Sequence, residues 1–176
     1  MRFEPTDLAG AFLVSLEPHA DERGMFARAF CAREFAAAGL ATSFVQANLS
    51  SNSRAGTVRG LHFQHEPHAE AKLVRCTKGA VYDVVVDLRG NSPTQYRWFG
   101  AELSEDNRIA IYVPKGFAHG YQALTDGATL LYFVSDFYAP QSEGGLRFDD
   151  PKLSIRWPRP VSDISAKDAA WPLLAA

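Results

Sequence analysis

Apolar and polar positions along the chain fall into short blocks divided by turn residues. Ala11-Phe12-Leu13-Val14-Ser15-Leu16 is largely apolar and lies between Gly10 and Pro18. Leu73-Val74-Arg75-Cys76-Thr77 runs into the turn Lys78-Gly79. Residues 81–88 are rich in β-branched side chains until Gly90-Asn91-Ser92-Pro93 stops them. Residues 98–103, 109–113 and 129–135 continue the series, with Pro114 closing the second of these. Strands at this spacing predict an antiparallel sandwich or barrel rather than alternating βαβ units. Residues 33–39 form the clearest helical stretch, with Gly39 as the stop signal, and residues 165–170 predict one more turn of helix before Pro172. No internal repeat, low-complexity tract or linker breaks the pattern. Residues 1–176 are therefore expected to form one all-β domain with short peripheral helices, a jelly-roll barrel.

Composition narrows the function classes. The chain has 176 residues, 47% hydrophobic and 22% charged, which suits one domain with an adequate core. Its net charge of -2 and scattered basic residues give no reason to expect a nucleic-acid or membrane partner, so any phosphate binding is local. The N-terminus has no apolar signal core, and no apolar run approaches the roughly 20 residues of a membrane span, so a cytoplasmic protein is expected. Cys31 and Cys76 form no close pair, and both are expected to be buried free thiols.

The candidate chemistry centres on Arg59-Gly60-Leu61-His62-Phe63-Gln64. A guanidinium suits a phosphate and an imidazole suits a proton. His62, His65 and His68 are spaced by three, which alternates faces in a regular strand, and Pro67 marks a loop. Few carboxylates lie nearby, so no metal is expected. His19 and His68 are expected in exposed loops. His62 and His119 each end an apolar stretch, where, taken alone, a core histidine bonded to a backbone carbonyl is the better reading. Tyr132 alone reads as packing, Lys72 as an edge lysine, and Asp168 as part of a polar tail. Together they form one coherent set. A His base, a Tyr acid, a Lys for negative charge, an Arg for phosphate and a carboxylate to aim the imidazole suit proton abstraction beside a carbonyl.

A series of motifs runs through nearly the whole chain: Asp21-Glu22-Arg23-Gly24, Phe44-Val45-Gln46-Ala47-Asn48, Arg59-Gly60-Leu61-His62-Phe63-Gln64, Lys72-Leu73-Val74-Arg75, Asp83-Val84-Val85-Val86-Asp87, Pro114-Lys115-Gly116-Phe117-Ala118-His119-Gly120, Ile155-Arg156-Trp157-Pro158 and Ser165-Ala166-Lys167-Asp168. In this order they resemble the dTDP-4-dehydrorhamnose 3,5-epimerase family of cupin-fold sugar-nucleotide enzymes. The resemblance implies a double-stranded β-helix, a nucleotide-sugar substrate, and no metal or organic cofactor. It also implies a homodimer in which the N-terminal region of one subunit enters its partner's site. By position it makes His62 the base, Asp168 its paired carboxylate, Tyr132 the acid on the opposite face of the sugar, and Lys72 the group near the C4 oxygen. Arg23 and Arg59 match diphosphate- and nucleotide-binding positions, and Gln46, Asn48, His119, Glu143 and Lys167 match ligand contacts.

The chain departs from the family pattern at four places. Arg28 stands in a ligand position where glutamate is usual, Ala47 replaces an aspartate, and Phe133 and Phe137 stand where lysine and tyrosine are common. These changes are expected to remove carboxylates from the site and make it less polar. The competing readings are a single-centre epimerase, a sugar-nucleotide 3,4-ketoisomerase, a metal-dependent oxygenase and a non-enzymatic sugar-binding barrel. The joint presence of His62, Tyr132, Lys72 and Asp168 weighs against simple binding, and the missing His-x-His weighs against the oxygenase.

Overall fold

Strand pairing sorts the chain into two facing sheets in the computed structural model, which describes residues 1–174. The elements run β1 (Arg2–Pro5), β2 (Phe12–Ser15), β3 (His19–Asp21), β4 (Gly24–Phe26), α1 (Ala32–Ala37), β5 (Gln46–Ser51), β6 (Thr57–Gln64) and β7 (Lys72–Lys78). They continue with β8 (Ala80–Asp87), β9 (Trp98–Ser104), β10 (Ala110–Val113), β11 (Phe117–Ala123), β12 (Thr129–Val134), β13 (Glu143–Gly145), β14 (Asp163–Ile164) and α2 (Ala166–Ala169). One sheet has the order β1-β2-β10-β7-β12-β5 and the other β13-β6-β11-β8-β9, while β3 and β4 pair only with each other. The ladders are antiparallel, except that β14 lies parallel to β6. This is the expected double-stranded β-helix.

Period-two alternation decides which side chains meet. Val74 and Cys76 of β7, Val81 and Val85 of β8, and Leu130 of β12 face into the space between the sheets. Val84 and Val86 point the other way, under the C-terminal stretch that carries Leu153, Ile155 and Trp157. Both faces of β8 are thus buried, which is why its sequence reads as a nearly unbroken apolar run. The outer face of the first sheet, including Val14, Leu73 and Ala110, is covered by Phe35 of α1. Each such fully buried Val or Leu contributes about 1.5–3 kcal/mol of transfer free energy.

The six apolar blocks all form strands, within a residue or two of the expected bounds. The helix predicted over 33–39 is α1. Its C-terminus is closed by Gly39 at φ +72, with Gly39 N–H bonding Ala36 O and Leu40 N–H bonding Phe35 O. Three expectations need correction. Cys31 is free but only half-buried, because it sits just outside the first turn of α1, whereas Cys76 is buried. His19 is exposed but lies in strand β3, and His68 is half-buried, with Nδ1 3.6 Å from Asp136.

After β8, one buried carboxylate organises the loop to β9. Asp87 accepts hydrogen bonds from the backbone N–H and side chain of Arg89, and from the hydroxyls of Ser92 and Thr94. Burial pushes its pKa up, but these bonds outweigh that effect and hold it well below the usual carboxylate range.

Candidate active site

Two glycines bring the catalytic candidates together. Gly60 on β6 has φ +121, and a Cβ there would lie 2.5 Å from the Cα of Gly120 on β11. No larger residue permits that approach of two backbones. The pairing shifts register beside it, between His119 and Tyr121, and sets His119 directly opposite His62. In the facing sheet, register sets Asn48 opposite Tyr132, and both Gln46 and Lys72 opposite Val134. Gln46, Asn48, Tyr132 and Lys72 therefore share the inner face.

Two adjoining cavities open there. The first, of about 490 Å³, is lined by Arg59, His62, Lys72, His119, Tyr132, Lys167 and Asp168, among others. The second, of about 420 Å³, is lined by Gln46, Asn48, Glu70, Tyr138 and Glu143, and shares His62, Lys72 and Tyr132 with the first. The three shared side chains stand between the two chambers.

His62 Nε2 lies 2.6 Å from Asp168 Oδ1, which leaves Nδ1 for a ligand. Asp168 reaches it from α2, the helical turn expected near the C-terminus. The Ser165 hydroxyl caps α2 by accepting the Asp168 N–H at 3.0 Å. Burial would raise the Asp168 carboxyl, but bonds from His62 and the Gly60 N–H prevail and keep it below its ordinary value. Trp171 stands edge-on to His62 with centroids 6.4 Å apart.

Across the cavity, the Tyr132 hydroxyl is held protonated. Its pKa is raised, first by burial and then by the neighbouring Tyr121 and the Glu70 charge, against a smaller opposing pull from Arg59. Lys72 is buried, not an edge lysine. Its Nζ lies 3.1 Å from Glu70 Oε1 and 3.5 Å from the His62 carbonyl. His119 Nε2 sits 2.9 and 3.0 Å from the two oxygens of Asp83, which is wholly buried. Burial raises the Asp83 pKa, with His119 and Lys72 opposing. Arg59 is aimed into the first cavity by Asn52 Oδ1, 2.9 Å from its Nε. Lys167 Nζ bonds both oxygens of Glu143 at 2.6 Å, and Glu143 also accepts the Tyr138 hydroxyl at 3.0 Å.

Arg23 and Arg28 are not brought to these cavities. Arg23 lies in the exposed β3–β4 turn, paired with Asp21 at 2.6 Å, and Arg28 pairs with Glu34 at 3.0 Å. Two of the four departures also face elsewhere. Ala47 is exposed on the outer face of β5, and Phe133 packs edge-on to Phe44 in the outer layer, so neither makes the cavities less polar. Phe137 is 64% exposed.

Sequence reasoning missed Glu70, Gln64, Asp83 and Tyr138. Signals for three of them existed. Asp83 has the parity of core-facing Val81 and Val85, Gln64 that of His62, and Glu70 that of Lys72. Among the described residues, no three or more His, Cys, Asp or Glu side chains are grouped as metal ligands, and no helix is long and apolar enough to cross a membrane.

Comparison with known proteins bears on the family and the fold. Residues 5–176 match the family described as dTDP-4-dehydrorhamnose 3,5-epimerase. The chain is 43% identical over 173 residues to the dTDP-4-dehydrorhamnose 3,5-epimerase of Methanothermobacter thermautotrophicus, covering 97% of this chain and 92% of the relative. It is 43% identical over 176 residues to the dTDP-4-dehydrorhamnose 3-epimerase of Streptomyces niveus, covering 99% and 84%. The crystal structure of the Bacillus anthracis dTDP-4-dehydrorhamnose 3,5-epimerase, with TDP and PPi bound, superposes with a TM-score of 0.94 at 40% identity, covering 98% of this chain and 99% of that one. With its two-sheet barrel and a match reaching from residue 5 to residue 176, the chain belongs to the dTDP-4-dehydrorhamnose 3,5-epimerase family.

Proposed function

We propose that the protein is an isomerase that inverts C3 and C5 of a nucleotide-linked 4-keto-6-deoxyhexose, converting dTDP-4-dehydro-6-deoxyglucose to dTDP-4-dehydrorhamnose. One observation carries the reading. His62 on β6 and Tyr132 on β12 come from opposite sheets and line the same cavity, with Lys72 beside them. The C4 ketone makes the flanking C–H bonds acidic. His62, aimed by Asp168, takes the proton from one face, and the electron pair moves onto the C4 oxygen. Lys72 donates to that oxygen as charge develops, a contribution of about 3–4 kcal/mol for a preorganised donor. Tyr132 delivers a proton to the opposite face, and the centre is inverted. The ketone itself is the electron sink, so the scheme uses no cofactor. Arg59 and Lys167 would face the diphosphate, with His119, Gln46, Asn48 and Glu143 around the sugar and base.

The decisive experiment incubates the enzyme with dTDP-4-keto-6-deoxyglucose in heavy water and reads deuterium by NMR. Label at C3 and C5 with inverted product is expected. Label at C3 alone would place the activity with a 3-epimerase like the Streptomyces niveus relative. No label at either carbon would sink the reading.

The same reading includes a homodimer whose β3–β4 hairpin enters the partner's site. Its support is that the hairpin pairs only with itself, exposes Met25 and Phe26, and carries Arg23 away from its own cavity. Mixing His62→Ala and Arg23→Ala subunits should recover activity that neither variant has alone, since one site of the mixed dimer then carries no lesion. No recovery, or a fully active monomer by light scattering, overturns it.

A further inference from the structure

Lys72 is a flexible side chain given an exacting position, and something must fix its ammonium. Several charged or titratable groups face it. His62 on β6, His119 on β11, Tyr132 on β12 and Glu143 on β13 line the cavities it shares, and Asp83 on β8 lies near enough to feel its charge. Both oxygens of Asp83 are already bonded to His119, and Glu143 is bonded to Lys167 and Tyr138. The carboxylate in contact with Nζ is Glu70, at 3.1 Å, with both side chains nearly buried.

Glu70 is itself fastened. Its Oε2 accepts from Gln64 Nε2 at 3.2 Å. That amide nitrogen also reaches His68 O at 2.9 Å and Phe137 O at 3.2 Å, while Gln64 Oε1 accepts the Ala139 N–H at 2.6 Å. One buried amide thus ties the end of β6, the turn before β7 and the segment after β12 to the carboxylate that grips Lys72. A buried ion pair is a poor device for stability alone, because desolvation offsets its attraction. Its position on the cavity wall gives it a different use.

We infer that Glu70 is a positioning residue of the active site: it fixes the Lys72 ammonium beside His62 and Tyr132 and, with Gln64, couples the turn before β7 and the segment after β12 to that lysine. This rests on the reading of Lys72 as the group that faces the C4 oxygen. The Glu70 charge also supports Tyr132, whose raised pKa owes part of its shift to it. Loosening Glu70 should therefore weaken the step in which enolate charge develops, more than it weakens ground-state binding.

The test uses Glu70→Gln, nearly the same size without the charge, and Glu70→Asp, which keeps the charge at shorter reach. Two readouts separate the inference from the functional reading. The first needs no substrate. In protein labelled with 15N-lysine, the Lys72 ammonium of the wild type should give a slowly exchanging signal, assigned by its loss in Lys72→Gln. Glu70→Gln should speed its proton exchange at least about tenfold or erase the signal, and Glu70→Asp should retain it in part. The second is kinetic. Glu70→Gln should lower kcat about tenfold or more with KM within about twofold, and its alkaline limb should move to lower pH. An unchanged ammonium signal in Glu70→Gln, or a loss confined to KM, overturns the role of Glu70. If the wild-type enzyme fails to exchange sugar protons, the functional reading falls instead, and the ammonium signal still decides what Glu70 holds.

Discussion

Asp168 grips His62 and the strand that carries it with one carboxylate: Oδ1 lies 2.6 Å from His62 Nε2, and Oδ2 accepts the Gly60 N–H at 3.2 Å. The ring is thereby fixed in direction. Asp168→Ala should leave the barrel folded and lower kcat by about 10²–10⁴ with little change in KM, as when an orienting carboxylate is lost from a histidine base. Steady-state kinetics beside circular dichroism checks this; a kcat within threefold of wild type would remove Asp168 from the machinery.

A base and an acid on opposite sheets should be separable. His62→Ala should abolish deuterium uptake at the sugar, whereas Tyr132→Phe should still exchange protons and fail to invert, because a proton can leave and return on the His62 face. NMR of label and stereochemistry for each variant decides. Near wild-type exchange in His62→Ala, or full-rate inversion in Tyr132→Phe, reverses the assignment.

Phe133 follows Tyr132 but points to the other side of the sheet, against Phe44. Phe133→Leu should therefore cost about 1 kcal/mol of stability, since it shrinks an aromatic cluster. The division of deuterium between C3 and C5 should stay as in the wild type. A changed product ratio with unchanged thermal stability would show that the outer layer reaches the chemistry.

The Asp87 knot gives a pH signature. Its carboxyl titrates well below the ordinary value in the folded state, so its stabilisation is complete above the ordinary carboxylate pKa of about 4 and is lost as pH falls further. Asp87→Asn should be about 2 kcal/mol less stable than wild type at pH 7 in urea unfolding, and the gap should narrow below about pH 4. A gap that holds constant down to pH 3 would mean that the charge contributes nothing.

Strands buried on both faces, such as β8 and β10, were legible because their residues are mostly apolar, with Asp83 and Asp87 the exceptions in β8. Strands β5 and β6 were not, because their inner positions Gln46, Asn48, His62 and Gln64 are polar and face cavities. The same features that make those strands functional hide them from a hydrophobicity pattern. His62 and His119 stood out locally, but their convergence depends on the register break beside Gly120, which no spacing reveals. Asp168 was visible only through family resemblance, since its partner lies 106 residues away. Phe133 shows the opposite failing: its departure from the family pattern suggested a less polar site, and the alternation of the strand points it to the outer layer instead.

That long separation has a consequence for how the protein behaves over time. The C-terminal stretch lies across the outside of the second sheet and delivers Asp168 to the barrel at its far end. A chain whose tail has peeled off keeps its inner core yet has no aimed imidazole. If Asp168 aims the base as proposed, local fraying, a far smaller event than melting, should be enough to silence turnover. With Asp168 in its proposed role, the specific activity of a preparation would count docked tails, and a protease that nips the tail should inactivate the enzyme while leaving most of its strands protected from hydrogen exchange.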